Sequence, residues 1–253
     1  MARNGAWYTG EKLLDVSIFQ EFEKHEAEVT QVRLSTVPGE GLLTDKGALA
    51  VDVALLCMHG LHGEDGTLQG LLELADIPYT SPSVGGSAAG MDKALMKKVF
   101  AGCGFPMMPS IDVTRHAYQM ADEQWLAKME ALGYPLYVKP ANLGSSIGIS
   151  RVENRDALKD AIDLAFAYDR KVVVEKGVAD AMEINCSVLG IADDCRASLC
   201  EKPLGWKDFL TFEDKYLRGG KGKNAATRQI PAPIEETMTD RIQTLAKQIF
   251  TEM

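Results

Sequence analysis

Two periods of apolar residues alternate along the chain. Val51–Met58 (VDVALLCM) is almost continuously apolar, the pattern of a strand covered on both faces as in parallel sheets. It runs into a glycine-rich turn over 59–66 and a short predicted helix, Thr67–Ala75, with Pro78 beyond it. The small-residue stretch Gly85–Gly90 leads into a helix predicted from Met91 to Ala101, stopped by Gly102 and Gly104. Glu123–Leu132 reads as a helix closed by Gly133, and Leu136–Lys139 as a strand ended by Pro140. In Asp156–Tyr168, Leu158, Ile162, Ala165 and Phe166 recur at helical spacing, with Asn154 as the cap. Strand-like runs follow at Val172–Glu175, Ile184–Leu189 and Arg196–Leu204. The polar, Gly- and Lys-rich stretch Leu217–Arg228 predicts a surface loop, and Glu235–Thr251 a last helix. Strands alternating with helices predict an α/β protein.

Composition narrows the class. With 46% apolar and 25% charged residues, the 253-residue chain has the side chains to build a core. Its net charge of −9 argues against nucleic acid as a partner, since phosphate backbones are held by clustered Lys and Arg. Ala48–Met58, the most apolar stretch, is too short to cross a membrane, and the first residues carry no apolar run of the signal-peptide kind. The cysteines number five and form no Cys-x-x-Cys pair, against a disulfide framework or a zinc site. The expectation is a cytoplasmic protein with reduced thiols.

Four segments carry candidate chemistry. His59-Gly-Leu-His-Gly-Glu-Asp-Gly66 lies at the C-terminal end of a predicted strand, the edge where open α/β sheets bind ligands. His59 and Glu64 suit a zwitterion and the four polar side chains a metal, while a plain Asp65-Gly66 turn explains the segment equally well. Lys139-Pro-Ala-Asn-Leu-Gly-Ser-Ser-Ile-Gly148 is a lysine at a strand end before a small-residue loop, a fit for phosphate. It is not a Walker A loop, and a simple Gly-Ser linker is an alternative. Gly144-Ser-Ser-Ile-Gly148 also matches the nucleophile elbow of serine hydrolases, with Ser146 as nucleophile. That reading needs a His downstream, and His25, His59, His62 and His116 all lie upstream. Val172-Val-Val-Glu175-Lys-Gly177 suits adenine and ribose recognition, although a strand ending in solvated charges is the simpler account. Lys93 and Glu183, taken singly, read as surface residues, and Asp214-Lys215-Tyr216 as an exposed loop or a closing lid.

The order of these segments is more telling than any one of them. HGLHGEDGTLQG, MDK at 91–93, YVKPANLGSSIG, VVVEKG, EINCSVLG and DKY, in series, resemble the D-alanine–D-alanine ligase family of ATP-grasp enzymes from about residue 4 onward. EINCSVLG and the loop after DKY look most like the D-alanine–D-serine branch associated with vancomycin resistance. The resemblance implies an ATP-grasp fold behind a partial doubly wound N-terminal domain. Its parts would be an N-terminal substrate-side domain over 1–90, a small lid subdomain over 91–177 and a partial large subdomain over 178–253. It further implies Lys93 and Lys139 on the ATP phosphates, and Ser145 and Ser146 in the lid over them. Glu175, Lys176 and Val178 would hold adenine, Glu183 the ribose and Lys215 the γ-phosphate, with His59 and Glu64 near the amino-acid pocket. Tyr216 would close the site, bonded to Ser145; lactate-using members carry His there, so Tyr implies an amine nucleophile, D-alanine or D-serine.

The chain also departs from the family pattern. The Gly-Gly-x-Ser-x-Glu loop that opens the family and the Arg-x-Asp and Glu-x-Asn segments that bind magnesium (or manganese) find no match, so the metal ligands are expected beyond Met253. The expectation is therefore a piece of a ligase that does not ligate alone. Another ATP-grasp carboxylate–amine ligase and a nucleotide-binding remnant are the alternatives. The family is commonly dimeric, so a homodimer is among the states the resemblance allows.

Overall fold

The computed structural model of the protein describes residues 1–2, 4–204 and 228–253. The chain divides into two compact units, Met1–Ser87 and Ala88–Met253.

In the first unit, Trp7–Thr9 (β1), Thr30–Leu34 (β2), Leu42–Thr44 (β3) and Gly47–Leu49 (β4) form an antiparallel sheet in that order. Four short 3-10 turns fill residues 11–28. Ala54–Leu55 (β5) and Tyr79–Thr80 (β6) pair in parallel, joined through the helix Thr67–Leu74 (α1). Leu68, Leu72, Ala75 and Ile77 are buried, and Val51, Ala54, Leu56 and Met58 pack on them. The long buried strand expected at 51–58 is corrected here. Only two residues form ladder bonds, and Val53 and Leu55 are 58% and 75% exposed. The strand has one neighbour in its sheet, and its outward side chains have no covering layer among the described residues, so alternation replaces continuous burial.

Val84–Met91 (α2) precedes Lys93–Gly102 (α3), where the sequence predicts a small-residue lead into one helix. Asp92 separates them. Its backbone is extended and its carboxylate accepts the N–H groups of Ala94 and Leu95, so it caps α3. The second unit continues with Ser110–Thr114 (β7), Arg115–Met120 (α4), Asp122–Glu130 (α5), Leu136–Pro140 (β8), Ser150–Val152 (β9), Arg155–Tyr168 (α6) and Lys171–Lys176 (β10). The sheet runs β7-β10-β8-β9, antiparallel throughout. Asn154 caps α6 through the N–H of Ala157, as its sequence position predicts. Leu158, Ile162, Ala165 and Phe166 of α6 meet Leu136, Val138, Val172 and Val174 from the sheet in the main core.

Val188–Ile191 (β11) and Asp194–Ala197 (β12) form a hairpin, and Lys202–Pro203 (β13) pairs with Arg228–Gln229 (β14). The strands expected over Ile184–Leu189 and Arg196–Leu204 are broken up because the hydroxyl of Ser198 accepts the Ser187 N–H at 3.0 Å and diverts a ladder bond. The helix Glu236–Glu252 (α7) packs on the hairpin. The loop expected over 217–228 lies outside the described residues except for Arg228.

Candidate functional site

Side-chain parity in β10 builds one face of the site. Val172 and Val174 point into the core under α6, while Val173 and Glu175 point to the opposite face. There Val173 packs with Ala94 of α3 and with Ala141. The register sets Val173 opposite Lys139 and Glu175 opposite Tyr137, so Lys139 shares the face with Glu175. Its ammonium lies 3.1 Å from the Glu175 carboxylate, whose other oxygen is 3.5 Å from Lys97 of α3. Glu175 is only 15% exposed, so the reading of a solvated strand end is corrected: burying a carboxylate requires cationic partners, and two lysines supply them.

Lys93, the first residue of α3, is likewise no surface lysine. Its N–H donates to the Ala141 carbonyl at 3.0 Å, and its ammonium donates to the carbonyls of Leu143 and Ala141 at 2.5 and 3.4 Å. Burial, and then the Lys139 charge, lower the pKa of this ammonium. A helix N-terminus, two lysines and a strand edge thus gather positive potential beside the 141–149 loop.

That loop is fastened at its start. Asp169 accepts both the N–H and the side-chain amide of Asn142, at 2.7 and 3.0 Å. Ser145 and Ser146 are consecutive left-handed residues at φ 52° and 62°, a conformation that ordinarily favours glycine. Gly148 follows at φ 68°. The Ile147 N–H closes onto the Gly144 carbonyl at 3.2 Å, and the chain enters β9 rather than a helix. Gly144–Gly148 therefore lacks the strand-to-helix turn a nucleophile elbow requires, and the serine hydrolase is set aside.

In the first unit, Asp65 accepts the N–H groups of His62 and Thr67 and so ties its own turn. Burial opposes its charge, but hydrogen bonds from Thr67 and from the His62 N–H outweigh it and hold the carboxyl below the usual range. The Glu64 carboxylate accepts the Gly60 N–H, and His59 and Glu64 are both exposed. Gln69 of α1, 1% exposed, donates to the Gly63 carbonyl at 2.9 Å and braces the loop from beneath.

Of the remaining candidates, Lys176 ends β10 with its N–H on the Pro109 carbonyl. Val178 is 52% exposed, and Glu183 is exposed in the irregular segment beyond it. Lys215 and Tyr216 lie outside the described residues. Among the described residues no three His, Cys, Asp or Glu side chains gather to hold a metal. Their donor set does not fit magnesium or manganese, so no chemical step is assigned to a metal here. Sequence reasoning missed Lys97, Asp92 and Asp169. Lys97 carried a signal, since it stands one helical turn from Lys93 on the same face of α3.

Residues 99–253 match the family model described as "D-ala D-ala ligase C-terminus", and residues 1–82 match "D-ala D-ala ligase N-terminus". The chain belongs to the D-alanine–D-alanine ligase family. The D-alanine–D-alanine ligase of Heliobacterium modesticaldum is 39% identical over 252 residues, covering 98% of this chain and 66% of the relative. That of Solibacter usitatus is 41% identical over 210 residues, covering 83% and 61%. The chain thus spans somewhat under two thirds of the length of these relatives. Among solved structures, the VanG D-alanine–D-serine ligase of Enterococcus faecalis aligns with a TM-score of 0.81 at 31% identity, over 99% of this chain and 70% of that one. The D-alanine–D-alanine ligase of Coxiella burnetii aligns at 0.76 and 26%, over 98% and 65%. The mixed α/β architecture is that of this ATP-grasp family.

Proposed function

We propose that the chain binds ATP on the face formed by α3, β8 and β10, and serves the ATP-dependent joining of D-alanine to D-alanine or D-serine in the cytoplasm. The observation that carries this is the convergence of Lys93 and Lys139 beside the glycine-serine loop, with Glu175 holding Lys139 and Lys97 in place. A lysine at a helix N-terminus with a second lysine beside it suits a polyphosphate.

In this reading Lys93 and Lys139 neutralise phosphate oxygens, and the loop carrying Ser145 and Ser146 closes over them. Glu175, Lys176 and Val178 receive adenine, and Glu183 receives the ribose. Lys215 meets the γ-phosphate, Tyr216 closes the site, and His59 and Glu64 orient the amino acid. The carboxylate of a first D-alanine attacks the γ-phosphorus and ADP departs. The amine of the second amino acid then attacks the acyl carbon, and phosphate leaves. Such a reaction rests on charge neutralisation and alignment, which lysines and backbone N–H groups supply, and on keeping water from the acyl phosphate.

Calorimetric titration of ATP into the full chain and into Lys139→Ala tests the site. Losing a hydrogen bond to a charged group, about 1.5–3 kcal/mol, predicts a Kd raised roughly 10- to 100-fold. Equal affinity in both proteins removes Lys139 and this face from the proposal. ADP release that depends on D-alanine supports ligation, whereas binding without it restricts the function to nucleotide binding.

A further inference from the structure

The reading of the thiols as unconnected changes once the strands are placed. Asn185 and Glu201 exchange both backbone hydrogen bonds, each at 2.8 Å, in an isolated antiparallel bridge. Cys186 and Cys200 are the next residues inward from this bridge, between it and the β11–β12 hairpin, where a regular antiparallel pair would set them across from each other in the position that makes no backbone bonds. There the Cα atoms approach to about 4.5 Å, closer than in the bonded position. A disulfide needs Cα atoms about 4.4–6.8 Å apart, so a position of this kind accepts one without moving the backbone. Cys186 lies close enough to interact with the Cys200 thiol, and its own thiol also donates to the Ser198 carbonyl at 3.7 Å. Burial, and then Cys186 itself, push the Cys200 thiol up. Cys200 is 1% exposed, while Cys186 is partly exposed.

We propose that Cys186 and Cys200 form a reversible thiol–disulfide pair, a modification site that responds to small-molecule disulfides such as oxidised glutathione. It does not depend on what the protein binds. The exposed partner reacts first, as its thiolate. Cys186 loses its proton to water and attacks one glutathione sulfur. The glutathione S–S bond breaks, one glutathione thiolate leaves, and a mixed disulfide remains on Cys186. Cys200 then gives its proton to water and its sulfur attacks the Cys186 sulfur, expelling the second glutathione thiolate. The two cysteines lose two protons and two electrons, and oxidised glutathione becomes two molecules of glutathione. The closed bond fastens the segment that carries Glu183 to the start of β13 and encloses the β11–β12 hairpin.

The test incubates the full native chain with oxidised glutathione, blocks remaining thiols with iodoacetamide and digests without reductant. The expected product is a cross-linked peptide pair joining Cys186 to Cys200, with iodoacetamide labelling lost at both and restored by dithiothreitol. In Cys200→Ala, Cys186 should instead retain one glutathione, since the resolving thiol is gone. In Cys186→Ser, a change at the more exposed of the two positions, Cys200 should stay reduced and the cross-link should vanish. Alkylation of both cysteines in the oxidised wild-type chain, or a cross-link of either to Cys57, Cys103 or Cys195 instead, overturns the proposal.

Discussion

Gly148 shows how much one missing methyl group can matter. A Cβ built on it would lie 2.7 Å from the Tyr168 ring and 2.9 Å from the Pro140 ring, at φ +68°. Tyr168 is half exposed and can turn aside, but Pro140 is fixed in β8. Gly148→Ala should therefore lose about 1–3 kcal/mol, through left-handed strain and overpacking together. Gly144, in the same loop, has open space around its Cβ position and no positive φ, so Gly144→Ala should stay within about 0.5 kcal/mol. Urea midpoints of the two variants measure the contrast, and equal midpoints would show that the loop relaxes freely. Lys93 illustrates a different residue-scale effect, since an ammonium that burial disfavours gains the most when an anion arrives.

At the scale of elements, α3 is held by its first turn. Asp92 caps it through two N–H groups and also pairs with Lys171 of β10 at 2.5 Å, so one carboxylate ties helix to sheet. Burial opposes its ionisation, but the Lys171 hydrogen bond and the two cap N–H groups outweigh burial and lower its pKa from 3.8. The folded protein therefore gains stability from Asp92 above that ordinary value and loses it as the pH falls through the lower folded value. Below about pH 4, stability should decline in the wild type and decline less steeply in Asp92→Asn, which has no proton to take up. Guanidinium melts between pH 5 and pH 2 follow the difference, and parallel curves would dismiss the Asp92 contribution. The sequence announced α6 and its Asn154 cap plainly, because helical spacing and capping are local. It announced α3 only in outline: the Asp92 cap is local too, but the small-residue run before it masked the break, and its pairing with Lys171 lies nearly eighty residues away. It hid the fate of 184–204, where one serine hydroxyl redirects a backbone bond.

Across the whole molecule, the two units differ in how much core they own. The second buries a continuous cluster from Val113 to Val174, whereas the cluster around β5 and β6 in the first is only Leu68, Leu72, Ala75 and Ile77, with Ile18 and Val32 buried outside it. Amide hydrogen exchange should be slowest in β8 and β10 and markedly faster in β5 and β6, because opening free energy follows buried contact. Comparable protection in the two units would contradict that ranking. The family was legible in the order of the motifs, since order along a chain needs no coordinates. The geometry of the site was not, because it arises from strand register: nothing local in VVVEK says that Glu175 meets Lys97 and Lys139 rather than water.

The register of β10 also bears on how this sequence can change over time. Val172 and Val174 line the core while Val173 and Glu175 lie on the opposite face, so a single inserted residue exchanges the two sets downstream. Glu175 would be driven under α6 and valines would be turned toward the lysines. An insertion that ruins the site thus ruins the fold as well, and such a chain is removed by proteolysis instead of persisting as an inert copy. Point substitutions can be sampled one at a time along β10, but length cannot, and lineages should vary in the letters of this strand while its spacing stays fixed.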